Sequence, residues 1–205
     1  MNGDKGVNRS TRHGLLAAVL AVTAVPALAQ FSESFNFLKA VRERDGAKAT
    51  EIVSNSSSTA INTRDRQTGE GALHIVVRGR DLGWLNFLLA RGARADLADN
   101  QGNTPLAVAA QIGWVEGAEM LLGRRANVNA PNGRGETPLI MAVHRRDAAM
   151  VRLLMAQGAD PNRTDSAAGL SALDYARRDT RAGPILRLLQ ETRAPRPAAA
   201  GPTRP

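Results

Sequence analysis

Gly102-Asn103-Thr104-Pro105-Leu106-Ala107-Val108-Ala109-Ala110 decides how this chain folds, because its parts recur at a fixed interval. The opening phrase returns as Gly135-Glu136-Thr137-Pro138-Leu139, and in looser form as Gly69-Glu70-Gly71-Ala72-Leu73 and Gly169-Leu170-Ser171-Ala172-Leu173. The four terminal leucines are separated by 33, 33 and 34 residues, and Leu89, Leu122, Met155 and Leu189 form a second column with the same steps. Two columns sharing one period mark a stacked repeat. Each unit reads mechanically. A glycine-containing turn leads to Thr104 or Thr137, whose hydroxyl caps a helix, and proline follows at the first helical position, where its missing N–H costs nothing. A short first helix follows. A second helix then ends in Leu88-Leu89, Leu121-Leu122 or Leu153-Leu154, and Gly92 and Gly158 follow it where a left-handed residue is needed. Arg125 occupies the equivalent place between them.

The phrase Asn103 to Ala110, together with Gln157-Gly158-Ala159-Asp160-Pro161-Asn162, resembles the ankyrin repeat family over residues 31–192. The resemblance implies an all-α solenoid of about five helix-turn-helix repeats joined by β-turn or hairpin loops, at approximately 31–65, 66–98, 99–131, 132–164 and 165–192. Phe37 to Asn62 fits as a divergent first unit, with Ala40-Val41 in place of paired alanines and an Asn-Ser-Ser-Ser insertion beginning at Asn55. The last unit also diverges, and Pro184 is expected to intrude into its second helix. The family histidine survives only as His74, being Ala107, Ile140 and Asp174 elsewhere, and by resemblance it braces neighbouring loops. In the second unit Gly71-Ala72 replaces Thr-Pro, which predicts a weakly capped helix.

Composition agrees with a scaffold. The 205 residues include 43% hydrophobic and 22% charged, a globular balance. Aromatics are only 3%, so the core must be aliphatic. The absence of cysteine removes disulfides, thiolate metal sites and thiol nucleophiles together. Residues 1–29 read as a cleavable signal peptide: Lys5, Arg9 and Arg12 precede the apolar run from Leu15 to Val25, Pro26 is expected to break the helix, and Ala27-Leu28-Ala29 supplies the small-x-small pattern. Cleavage is expected between Ala29 and Gln30, which removes three bases and one acid and lowers the formal charge from +8 to +6. No later segment reaches ~18 uninterrupted apolar residues, so no stable membrane insertion is expected after cleavage. Residues 193–205, rich in Pro, Ala and Arg, are expected to form a disordered tail. The expected location is the periplasm of a two-membrane bacterium.

Chemistry fares poorly in this sequence. His74 and His144 lie seventy residues apart without cysteine, which does not make a metal site. His144 has Asp147 near it but no evident nucleophile. None of the three lysines follows a glycine, which excludes a P-loop, and Gly133-Arg134-Gly135 lacks the rest of a dinucleotide fingerprint. The expectation is therefore no catalytic residue, no cofactor and no metal. What remains is a non-enzymatic adaptor for an unidentified protein partner, itself monomeric.

The resemblance places partner contacts at turn tips and on the exposed side of each first helix. Those positions are Gln67, Thr68, Glu70 and Arg78 in the second unit, and Asn100, Gln101, Asn103, Gln111 and Ile112 in the third. The fourth contributes Arg134, Glu136, His144 and Arg145, and the fifth Arg178. Arginines on this side also suggest a second reading, a basic surface for an anionic envelope polymer, although a modest net charge with interspersed acids argues against nucleic acid. A secreted effector is a further reading, and a hydrolase a remote one. Trp84 and Trp114 fall on or beside second helices, the first expected in the core and the second half exposed.

Overall fold

The computed structural model describes residues 24–55 and 59–191, with side chains from Glu33 to Ser54 and from Thr59 onward. The cleavage-site side chains, most of the signal segment and the C-terminal tail lie outside those residues. Ten α-helices follow one another in pairs among the described residues. They are α1 (Ala24–Glu43) with α2 (Gly46–Asn55), and α3 (Ala72–Arg78) with α4 (Leu82–Ala90). Next come α5 (Pro105–Ile112) with α6 (Val115–Gly123), and α7 (Pro138–Arg145) with α8 (Ala148–Ala156). The last pair is α9 (Ala172–Arg178) with α10 (Gly183–Glu191). A single 3-10 turn, Ala60–Asn62, precedes the first hairpin.

First helices pack on first helices, and second helices on second helices. The leucine column explains why. Leu73, Leu106, Leu139 and Leu173 are all buried between first helices. In the second helices the leading member of each leucine pair goes deepest: Leu88, Leu121 and Leu154 have no exposed surface, while Leu122 is half-buried. Each unit alone would leave its apolar face in water, so burial is completed only by stacking.

The caps form as the sequence requires. Thr104 Oγ1 accepts from Ala107 N at 3.3 Å, and Thr137 Oγ1 accepts from Ile140 N at the same distance, with proline at the first helical position of both α5 and α7. Ser171 and Asp174 make a reciprocal capping box on α9. On α3 only half of such a box exists, because Gly71 has no side chain to return the bond that His74 Nδ1 accepts from its N–H at 3.2 Å.

Two helix expectations are corrected. Pro26 does not break a helix: α1 starts at Ala24, which puts the proline in the first turn, and α1 runs on through Ala29 and Gln30. Pro184 likewise sits in the first turn of α10 and interrupts nothing. Trp114 is also corrected. It is 6% exposed and stands at the start of α6 without a side-chain cap, packed over Gly117. Trp84 is half-buried against the core and meets Phe87 edge-on at 5.5 Å.

Hydrogen bonds between units are periodic too. At the hairpin tips Asn100 N donates to Thr68 O at 3.0 Å, Gly133 N to Gln101 O at 2.8 Å, and Ser166 N to Arg134 O at 2.8 Å. At the opposite end Asn62, Asp96 and Asn129 accept through Oδ1 from Arg94 N, Asn127 N and Asp160 N, each at 2.8 Å. The stack is therefore stitched along both edges. Isolated antiparallel bridges, Arg64 with Gly71 and Thr164 with Ser171, are the only β pairing among the described residues.

Candidate functional site

A groove of about 660 Å³ opens between the hairpin tips and the first helices of the third and fourth units. Its lining brings together Asn100, Gln101, Asn103, Gln111, Arg134, Glu136, His144 and Arg145, all expected contact positions, with Asn132 and Met141. Local sequence puts them there. The tips are held by a buried or half-buried Asp or Asn whose Oδ1 gathers the loop's own N–H groups. Asp99 takes Gln101 N and Asn103 N at 2.9 and 2.8 Å, and Asn132 takes Arg134 N and Glu136 N, both at 2.9 Å. Gln111, His144 and Arg145 come from the last turns of α5 and α7, facing those tips.

The groove contains two kinds of residue. Asn103 belongs to the frame and not to the open surface, which corrects its expected role. Only 5% exposed, it donates through Nδ2 to Asp99 and Gln101, accepts from Asn132 Nδ2 at 3.2 Å, and offers its carbonyl to the unit before. Glu136 is half-buried and committed as well, its Oε2 accepting from Asn132 Nδ2 at 2.9 Å and from Arg134 NH2 at 2.8 Å. Gln111 and Arg145 are exposed and make no hydrogen bond or ion pair among the described residues. His144 lies against Tyr175, ring centroids 4.3 Å apart.

The other expected contacts scatter around this groove. Gln67 borders a second hollow of about 570 Å³ beside the exposed Phe35, and its carbonyl accepts from Asn100 Nδ2 at 2.9 Å. Thr68 is an exposed tip residue whose carbonyl joins the tip ladder. Glu70 and Arg78 pair with each other at 2.6 Å. Ile112 is half-buried on the core, and its carbonyl accepts from Arg80 NH2 at 2.5 Å. Arg178 lines a smaller hollow of about 250 Å³ with His144, Arg146, Tyr175 and Asp179.

His74 ties the second unit to the third. Its ring is fully buried, Nδ1 accepts from Gly71 N, and Nε2 therefore carries the proton and donates to Asn103 O at 2.9 Å. Burial away from water holds its pKa below the ordinary value, despite the opposing pull of the Asn103 carbonyl. That leaves the imidazole neutral and structural. Among the described residues no group of three or more His, Cys, Asp or Glu could hold a metal ion, and no helix is long and apolar enough to cross a membrane.

Some of this was hidden from sequence reading. The column Asp65, Asp99, Asn132, Asp165 organises every hairpin, and its spacing of 34, 33 and 33 residues was the available signal. Left-handed backbone at Arg44, Arg80 and Arg146, with φ of 59°, 50° and 58°, was masked by residue type.

Comparison with known proteins agrees with the geometry. A profile of ankyrin repeats in three copies matches residues 37–132, and one of ankyrin repeats in many copies matches residues 121–176. The match begins at Phe37, the first described residue that is fully buried. An ankyrin repeat-containing protein of Treponema pallidum (strain Nichols) is 44% identical over 91 residues, covering 44% of this chain and 30% of that relative's length. The chain belongs to the ankyrin repeat family, whose stacked units are scaffolds for protein–protein interaction.

Proposed function

We propose that this protein is a non-enzymatic adaptor of the bacterial periplasm, holding a partner protein in the groove between its hairpin tips and first helices. The observation that carries the reading is the 660 Å³ groove itself, built jointly by two units and walled by polar side chains with unused hydrogen-bonding capacity. Its frame is fixed by Asp99, Asn103 and Asn132, so docking would order few protein groups. Support for export comes from the basic segment, apolar run and Ala27-Leu28-Ala29 of the sequence. Cleavage after Ala29 is compatible with the packing, since the described buried residues begin at Phe37.

The test is affinity capture from periplasmic extract at low and moderate salt, paired with intact mass of the exported chain. One protein retained at both salt levels, with a mature chain starting at Gln30, supports the adaptor. Capture confined to low salt, or capture of anionic glycan, would favour a basic surface for envelope polymer instead. An unprocessed chain retained in the cytoplasm would overturn the location.

A further inference from the structure

We infer that the partner segment seated in this groove is acidic and is gripped by Arg145 and Arg178, an inference that rests on the adaptor reading. The two arginines are 33 residues apart and occupy the same register at the ends of α7 and α9, which pack side by side. Arg145 stands over the large groove and Arg178 over the smaller hollow, and His144 lines both, so the two depressions adjoin.

Charge accounting on this side singles them out. Arg42, Arg78, Arg134, Arg146 and Arg177 are each matched to an acid of the protein itself. Arg80 is spent on the carbonyl end of α5. Arg145 and Arg178 are exposed and form no ion pair or hydrogen bond among the described residues. The acids nearest them are occupied elsewhere. Asp147 caps α8 through Met150 N, and Asp179 is bound by Arg146 at 2.6 Å. The corresponding residues in the second and third units are Gly79 and Ile112, so the cation pair is confined to one end of the array.

Helices in contact lie about 8–10 Å apart, a spacing that acidic side chains two or three residues apart on an extended chain can match. Guanidinium groups take carboxylates bidentately, and the free amide of Gln111 is left for the partner's backbone.

The test uses the purified full chain and a fluorescein-labelled twelve-residue peptide of alternating Glu and Ser, with a Gln-for-Glu peptide and inorganic polyphosphate as comparison probes. Arg145→Glu with Arg178→Glu should weaken the Glu peptide at least tenfold. Arg152→Glu with Arg187→Glu makes the same change in net charge on exposed positions of the second helices, and should change it less than twofold. Thermal melts of both variants should match the parent. Equal loss in both variants would reduce the effect to net charge and overturn the inference. So would absence of Glu-peptide binding at low salt, or polyphosphate binding that ignores the Arg145 and Arg178 reversal while the Glu peptide fails. A partner captured from extract equally well by the double variant would sink the acidic grip and leave the adaptor reading standing.

Discussion

Arg146 holds a left-handed backbone, φ 58°, and from it reaches 33 residues onward to place Nε 2.6 Å from Asp179 Oδ2 in the next unit. The two features offset each other. A non-glycine residue in this region costs about 1–2 kcal/mol, and an exposed ion pair returns at most about 1 kcal/mol. Arg44 repeats the arrangement towards Asp81 at 3.3 Å. Arg125 is also left-handed, φ 63°, but has no such partner among the described residues. Arg125→Gly should therefore stabilise the array by a few tenths to about 1 kcal/mol, after allowance for the extra chain entropy of glycine. Arg146→Gly should gain less or nothing, because the Asp179 contact goes with it. Urea denaturation of the two variants side by side decides the matter; an equal gain would mean the bridge to Asp179 contributes nothing.

His74 predicts a pH dependence with a definite sign. Its folded pKa lies below the ordinary 6.5 because burial disfavours the imidazolium. Below pH 6.5 the unfolded chain takes up a proton that the folded chain refuses, so stability falls on acidification until the folded pKa is reached. Above pH 6.5 both states are neutral and this contribution is flat. His74→Gln should remove the slope between pH 6.5 and 5. His74→Ala should also cost about 1–3 kcal/mol at pH 7, since it strands Gly71 N–H and the Asn103 carbonyl. An unchanged slope in the glutamine variant would show that another group governs that range.

Much of the fold could be read directly from the chain, because one-dimensional stacking repeats each local solution. Leu106 and Leu139 are buried for the same reason, and Thr104 and Thr137 cap in the same way. Side-chain reach was harder. Nothing in the run Arg145-Arg146 says that the second arginine bridges to Asp179 while the first stays open over the groove. Asn103 looked like a tip residue by position, and only the closing of the Asp99 and Asn132 loops around it makes it structural. The expected contact positions still converged on one groove, since turn tips and first helices of adjoining units face each other wherever the stack forms.

Asp65 offers a test of the hairpin column in acid. Arg42 beside it, 2.7 Å away, and the N–H groups of Thr68 and Gln67 hold its pKa at about 2, against an ordinary 3.8. The stability this provides is fully present above pH 3.8 and is lost as pH falls through about 2. Solvent around a partly exposed pair screens the charge, so the contribution at neutral pH should stay at or below about 1 kcal/mol. Asn132 shows that asparagine can organise the same turn. Asp65→Asn should thus keep the hairpin, lose the ion pair, and differ from the parent at pH 7 but not at pH 2. A difference that persists unchanged at pH 2 would assign it to turn geometry instead of charge.

Trp114 and Gly117 supply the last prediction, on packing. A Cβ built on Gly117 would stand 2.1 Å from Trp114 Cε3, well inside contact distance, and both residues are buried. Helix propensity favours alanine over glycine by about 1 kcal/mol, so the direction of Gly117→Ala depends on whether the indole can yield. The ring is closed in by the stack and 6% exposed, and overpacking a filled site costs about 1–3 kcal/mol. The steric penalty should win. In a Trp84→Phe background, Gly117→Ala should shift the remaining tryptophan emission to longer wavelength and lower stability. Unshifted emission with raised stability would show that Trp114 has room to move within the core, and that helix propensity governs this position.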